Sequence, residues 1–449
     1  MPIRRVITTI VVSGLSLAAA VPLFAQAPVR LTLDEAIARA IEVAPRLAES
    51  RAREAAAAAT VAGRRAERLP TVTASGGVVR TNHIEEFAVV QPGGDRRVIF
   101  PDIPSNYHLR GELRLPLYTG GRVDALVSAA GADERAERAQ GRATERDVRL
   151  DATRAYWSLV TAREAVAVLE RAEARMVAWV GDVRARVDAG VLPPNDVLTA
   201  EAQQARQTVR LVGARQEATL AQLGLARLAG LPLDQPIDPV TPPAEPLAAA
   251  AALAVDPVPA LVERALASRE ERAALQAMED AARATGLAAL AGLRPQVSGV
   301  AAVEPARPNN RFVPRTDEWN TSWDLGVQVA WPVWDGGRAR AGAAAAEARA
   351  DALTHRLREF DAVVSIEVRA RVFALETGRA ALAASDRAVA AAAEALRVVT
   401  ERFDAGVVTS TDVLDAQVAL LEAELERTEL AAAQRVREAE LLRTLGADQ

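Results

Sequence analysis

The side chains whose spacing could do chemistry are carboxylates. Asp412 and Asp415 stand three residues apart, so on a helix they share a face. Asp196 occupies the matching place in an earlier helical stretch. All three fall in the first turn of a predicted helix, where a carboxylate accepts from unpaired backbone N–H groups. A good cap of that kind contributes about 0.5–2 kcal/mol, and Asp196 suits the role. Nothing nearby builds a reaction centre. Cysteine is absent, which excludes disulfides, thiolate metal sites, a thiol nucleophile and a lipid-bearing cysteine. His83, His108 and His355 lie far apart, so no local histidine-rich metal motif exists. There is no G-x-S-x-G elbow, no phosphate-binding Gly-Lys loop and no HExxH helix. The sequence reads as a non-enzyme that needs no cofactor.

The 449 residues are 50% hydrophobic, 4% aromatic and 25% charged, with net charge −5. That balance excludes a disordered chain and a basic nucleic-acid binder. All 54 Lys+Arg residues are arginine. Abundant Ala, Arg, Glu and Leu predict long helices. Arg4 and Arg5 precede an apolar run from Val6 to Leu23, and Ala25-Gln26-Ala27 follows. This predicts a signal peptide over 1–27, with Ala25 as an alternative end. No other stretch of 18 apolar residues lacks charge, so the mature chain is expected to be exported without a transmembrane helix.

The chain contains one unit twice. Leu115-Pro116-Leu117-Tyr118-Thr119-Gly120-Gly121-Arg122 matches Trp331-Pro332-Val333-Trp334-Asp335-Gly336-Gly337-Arg338, 216 residues on. At the same offset Arg186-Val187-Asp188-Ala189-Gly190-Val191 matches Arg402-Phe403-Asp404-Ala405-Gly406-Val407, and Asp196-Val197-Leu198 matches Asp412-Val413-Leu414. The first repeat is expected over 28–230 and the second over 259–449. The Pro-rich stretch 231–258 reads as a linker, because proline continues neither a helix nor a central strand.

Each repeat reads as helix, hairpin, very long helix, turn and returning helix. Leu33 to Arg68 shows apolar residues at helical spacing; its partner runs from about Pro259 to Leu293. The long helices are predicted over 122–187 and 338–403, the returning ones over 196–228 and 412–445. A helix of ~65 residues approaches ~100 Å, far longer than globular helices. Four segments have a period of two instead: 71–80, 109–117, 296–304 and 323–333. Each is about the ~9–11 residues that cross a bilayer as a tilted strand. Apolar positions alternate with Arg110, Glu112 and Arg114 in one, and with Asp324 and Gln328 in another. Those polar residues are expected to face a barrel lumen. Tyr118, Trp323, Trp331 and Trp334 are expected as belt residues at the membrane interface.

Four strands cannot close a barrel, and open edges are not tolerated in lipid. Two chains would give a narrow tube filled by side chains; three would leave a lumen.

Taken together, the duplicated Pro-x-x-x-Gly-Gly-Arg segments and the paired Asp-Ala-Gly-Val turns resemble the TolC-type outer-membrane factors, the outer membrane efflux proteins. The resemblance implies a mainly α fold with β: a trimeric twelve-stranded membrane β-barrel continued by a long α-helical periplasmic tube. It implies a passive exit duct for efflux or type I secretion, in the outer membrane with most of the chain in the periplasm. It also implies a homotrimer, a periplasmic adaptor (membrane fusion protein), an inner-membrane transporter reached indirectly, outer-membrane lipid, and no nucleic acid. By resemblance Arg186, Gly190, Val191, Arg402, Gly406 and Val407 contact the adaptor. Asp196, Phe403, Asp412 and Asp415 form the periplasmic gate, with Asp412 and Asp415 as stacked acidic rings. The family's best-known member has a basic residue two positions after the tip glycine, where this chain has Val408. An exported coiled-coil scaffold or adhesin without a pore is the alternative from a different class.

Overall fold

The computed structural model describes residues 27–240 and 256–447. The predicted signal peptide, up to residue 26, lies outside the described residues, as does the Pro-rich centre of the linker. In the first repeat, β1 (Val29–Leu31) leads into α1 (Leu33–Val43) and α2 (Pro45–Ala66). Then come β2 (Thr71–Arg80), β3 (Phe87–Val90), β4 (Arg96–Phe100) and β5 (Ser105–Tyr118), followed by α3 (Arg122–Asp188) and α4 (Pro194–Leu228). β6 (Ile237–Pro239) lies between the repeats. The second repeat holds α5 (Val258–Ser268), α6 (Glu270–Ala291), β7 (Gln296–Arg307), β8 (Asn320–Ala330), α7 (Arg338–Asp404) and α8 (Ser410–Thr444).

These elements form one open wall. The antiparallel sheet runs β2-β5-β7-β8, so the two repeats join through β5 and β7. Below the sheet α3 packs between α2 and α6, and α6 packs on α7. Farther along, α4 packs on α3, α3 on α8, and α8 on α7. The wall is therefore four elements wide throughout. One edge is β2, α2 and α4; the other is β8 and α7.

The long helices α3 and α7 are each 67 residues, ~100 Å at ~1.5 Å per residue. Neither contains proline. Ala129, Ala132, Ala136, Ala139 and Ala143 fill the buried stripe of α3, and such small side chains permit close approach of neighbouring helices. Larger side chains gather farther along. Tyr156 is fully buried and donates to the Val240 carbonyl at 2.7 Å; burial pushes its phenol up to about 12. It anchors the parallel pair β1–β6 against α3.

Several elements differ from the sequence expectation. The helix expected over Leu33–Arg68 is two helices: Ala44 is extended and Pro45 starts α2, because the residue before proline is disfavoured in the α region. The partner segment also breaks, at Arg269, with no proline. Arg269 is only 5% exposed; its Nε donates to the Thr444 carbonyl at 2.9 Å and its Nη2 to Glu367 at 2.5 Å. The segment 231–258 is not a plain linker, since it carries β6 and the first residue of α5. The strand expected over 323–333 is displaced to Asn320–Ala330, because Pro332 cannot continue the ladder. β5 starts earlier than expected and β7 ends later. The loop between β2 and β5 holds an unexpected hairpin, β3–β4.

Candidate functional site

Two regions could serve a function beyond scaffolding: the tips where the long helices turn, and the two faces of the sheet. At each tip a glycine in the left-handed region ends the helix, Gly190 at φ 73° and Gly406 at φ 72°. The Gly190 N–H donates to the Val187 carbonyl and the Val191 N–H to the Arg186 carbonyl, both at 2.9 Å. Gly406 and Val407 repeat the pattern onto Phe403 and Arg402. This closes the helix by the Schellman arrangement. No atom lies within 4 Å of a Cβ added at either glycine, so both turns are open to an approaching partner. Val191 and Val407 are exposed beside them.

The two helical hairpins are tied together just above these turns. Arg186 Nη2 meets Asp404 Oδ1 at 2.5 Å and Asp182 at 3.2 Å. Its guanidinium also lies 4.8 Å from the centre of the Phe403 ring, a cation–π distance. That ring is 4% exposed and packs on Trp179, with centroids 4.9 Å apart. Ser410 Oγ donates to Asp196 Oδ2 at 2.9 Å. Met176, Val183, Ala200, Val413 and Leu414 complete the apolar cluster, with Val408 packed against it.

The acidic residues take different parts. Asp412 sits at the third position of α8 and completes a capping box with Thr409. Its Oδ2 accepts from Thr409 N and Oγ1, both at 2.7 Å. The hydrogen bonds from the Thr409 hydroxyl and N–H hold its carboxyl below the usual aspartate range. Asp196 does not cap: α4 has no side-chain cap, and Asp196 links the two hairpins instead. Asp415 is exposed on α8 with no hydrogen-bond partner among the described residues. Arg402 is exposed at the end of α7. Trp179, Asp404 and Ser410 are not among the expected gate and tip residues, although Asp404 opens the second Asp-Ala-Gly-Val turn and Asp188 matches it across the repeat.

The sheet segregates its faces. Across the strands Val72, Leu113, Ala301 and Leu325 form one cross-strand row, and Thr73, Glu112, Ala302 and Asp324 the next. Successive residues point to opposite faces. The apolar face is bare: Leu325 is 76% exposed, and Val72, Leu109, Leu117, Val327 and Val329 are exposed with it. The other face carries a charge network. Arg110 reaches Glu304 at 2.9 Å, Glu112 at 3.4 Å and Asp324 at 3.6 Å. Arg114 reaches Glu112 at 3.1 Å and Gln328 at 3.4 Å. The lumen candidates thus share one face, opposite the apolar one. The aromatics lie toward the ends. Trp323 is within β8; Tyr118 ends β5; Trp331 and Trp334 fall just past β8, with Trp334 86% exposed. Trp331 Nε1 donates to the Leu293 carbonyl at 3.1 Å.

Among the described residues no helix is long and apolar enough to cross a membrane, and no group of His, Asp or Glu could hold a metal ion.

Comparison with known proteins agrees with this wall. A family model described as outer membrane efflux protein matches residues 36–231 and 261–447. The outer membrane efflux protein BepC of Brucella suis is 30% identical over 327 residues, covering 70% of this chain and 68% of that protein. Among solved structures, the outer membrane protein VceC of Vibrio cholerae has a TM-score of 0.76 at 20% identity, over 92% of this chain and 96% of VceC. The open-state MtrE channel of Neisseria gonorrhoeae has a TM-score of 0.71 at 20% identity, over 92% of this chain and 89% of MtrE. At those identities the structures speak for the fold, and the two sequence matches speak for kinship. The chain belongs to the outer membrane efflux protein family, the TolC-type outer-membrane factors, and is placed in the outer membrane with its helical tube in the periplasm.

Proposed function

We propose that three copies of this chain close into a passive exit duct, coupled through a periplasmic adaptor to an inner-membrane transporter. The observation that carries this reading is the open wall. β2 and β8 each pair on one side only, and a bare apolar face lies between them. In hydrocarbon every backbone N–H and C=O must be paired, so such a sheet has to meet other copies edge to edge. Two copies give about eight strands, a tube that side chains fill; three give about twelve and leave a lumen. The helical edges, α4 and α7, expose Val209, Val212, Ile366 and Phe373, apolar surface suited to the same contact between neighbours. In that ring the network of Arg110, Glu112, Arg114, Asp324 and Gln328 faces the lumen. Tyr118, Trp323, Trp331 and Trp334 sit at the interfaces. Arg186, Gly190, Val191, Arg402, Gly406 and Val407 meet the adaptor.

The tips form the periplasmic gate. Widening the mouth requires the Arg186–Asp404 and Asp196–Ser410 contacts to part, while Phe403 acts as packing between hairpins. Asp415 is the freer of the two ring carboxylates, because Asp412 is engaged by Thr409. The duct itself performs no catalysis.

Purified outer membranes test the assembly: a heat-modifiable, trimer-sized band is expected, and recovery as a buffer-soluble monomer would end the reading. In planar bilayers Asp415→Ala is expected to relieve block by multivalent cations more than Asp412→Ala. Unchanged block in both would remove the acidic ring from the gate.

A further inference from the structure

The chain passes between sheet and helix at four places, and arginines collect at all of them. Within ten residues on the helical side of the strand ends lie seven arginines and three carboxylates. Arg64, Arg65 and Arg68 close α2, Arg122 opens α3, Arg294 follows α6, and Arg338 and Arg340 open α7. The same window beyond the opposite strand ends holds four arginines and six carboxylates. The two ends of the sheet therefore carry opposite charge.

The three carboxylates of this collar are already engaged. Glu67 is shared by Arg64 at 2.7 Å and Arg122 at 3.4 Å. Asp124 pairs with Arg68 at 2.5 Å. Asp335 caps α7, accepting from the Gly337 and Ala339 N–H groups at 2.9 and 2.8 Å. No ion pair engages Arg65, Arg294, Arg338 or Arg340 among the described residues, and all four are exposed. The Arg294 guanidinium donates only to the Gly120 carbonyl, at 3.0 Å.

A cavity of about 430 Å³ opens in this collar beside the first turn of α3. Arg68 and Arg294 line it with Leu117, Tyr118, Val123 and Asp124, whose carboxylate is the one that pairs with Arg68. Cationic side chains thus stand next to an apolar wall continuous with the bare sheet face through Leu117. Thr119 lines the cavity as well, at the place where the second repeat carries the capping Asp335. Asp335 thus caps the start of α7, whereas α3 begins with no side-chain cap and its first-turn Asp124 is held by Arg68, which leaves the Arg294 guanidinium as the cation of the recess with no carboxylate partner among the described residues.

We infer that this recess binds the phosphate headgroup of an anionic phospholipid from the periplasmic leaflet. The headgroup sits between Arg294 and Arg68, and the acyl chains run along the apolar strand face from Leu117. Charge complementarity favours an anionic lipid over a zwitterionic one, since arginines beside a membrane attract anionic headgroups. The adjoining apolar wall favours a lipid over free phosphate. This inference rests on reading the sheet as a membrane wall.

The test uses full-length protein extracted from vesicles of phosphatidylglycerol and phosphatidylethanolamine, with co-purifying lipid counted by native mass spectrometry. Phosphatidylglycerol is expected to be retained roughly tenfold over its share in the vesicles. Arg294→Gln should remove most of that enrichment. Thr119→Asp, which adds a second carboxylate to the cavity wall beside Asp124 and supplies the cap found in the second repeat, should do the same without loss of fold. Equal retention of the two lipids, unchanged enrichment in both variants, or displacement by inorganic phosphate at equal phosphorus concentration would overturn the site. A wild-type chain that fails to enter vesicles or to form its heat-modifiable band would instead overturn the membrane reading beneath it.

Discussion

The first repeat bends its short helix with a ring. Pro45 holds Ala44 in an extended conformation, and α1 ends there. The second repeat makes the same bend at Arg269 with a charge. Its buried guanidinium binds Thr444, Glu367 and Glu271, and Arg443 joins Glu271 to Asp147. The returning helices differ likewise. α4 opens on Pro193-Pro194 with no side-chain cap, whereas α8 opens on the Thr409–Asp412 capping box. At these two places duplicated geometry has been kept while its causes diverged, restricted backbone torsions in the first copy and tertiary or side-chain hydrogen bonds in the second; the starts of α1 and α5 reverse the pattern, with a Thr32–Glu35 capping box in the first copy and Pro257 in the second. At the bend and at the start of the returning helix the second copy should therefore be the more sensitive to side-chain substitution and to pH.

The largest test of that difference is at the bend. Arg269→Ala strips a buried cation from its partners and is expected to cost about 3–5 kcal/mol. Pro45→Ala, which mainly frees the unfolded chain, should cost about 1 kcal/mol or less. Thermal conversion of the heat-modifiable species at a fixed scan rate reads both; equal losses would break the contrast. Next come the glycines. Gly406→Ala should cost about 1–2 kcal/mol, from left-handed backbone alone. Gly446→Ala should cost more, since its Cβ would stand 2.9 Å from the Ser268 carbonyl oxygen at φ 65°. Equal midpoints would show that the end of α8 yields freely. Smaller again is the cap: Thr409→Ala should lose about 1 kcal/mol, against less than about 0.5 kcal/mol for Asn195→Ala, read from the same melts.

The smallest effect is the pH response of the second tip. The Asp412 carboxyl titrates below its unfolded value, held down by Thr409. Its contribution is thus present above the ordinary aspartate range and fades as pH falls through the lowered value. Amide exchange at the start of α8 should quicken, relative to the start of α4, on acidification below the ordinary aspartate pKa. Parallel behaviour of both tips would remove Asp412 from that role.

What could be read from the sequence follows the same divide. The long helices, Gly190, Gly406 and the alternating strands rest on local pattern, and the 216-residue offset marks the long helices, the two glycines and the strands β5 and β8 twice. Pro45 was equally visible, yet the apolar spacing of Ile37, Ile41, Ala44 and Ala48 ran straight through it and suggested one helix. The β3–β4 hairpin had a local signal in Gly93-Gly94 between two β-rich runs, a turn dipeptide of known kind. Arg269 carried no such sign, because its partner Glu367 is 98 residues away. The gate role expected of Phe403 came from the family resemblance alone. Only the packing of Trp179 and Arg186 around it shows that it lies within the wall.

The four-strand sheet with two raw margins also constrains how the protein is made. A solitary copy threaded into lipid would leave two rows of amides without partners, so in the proposed trimer bilayer insertion and docking of sister chains would occur as a single event. On that assembly each newly exported chain would be a sticky half-product, and its lifetime in the periplasm would depend on how quickly it meets its fellows.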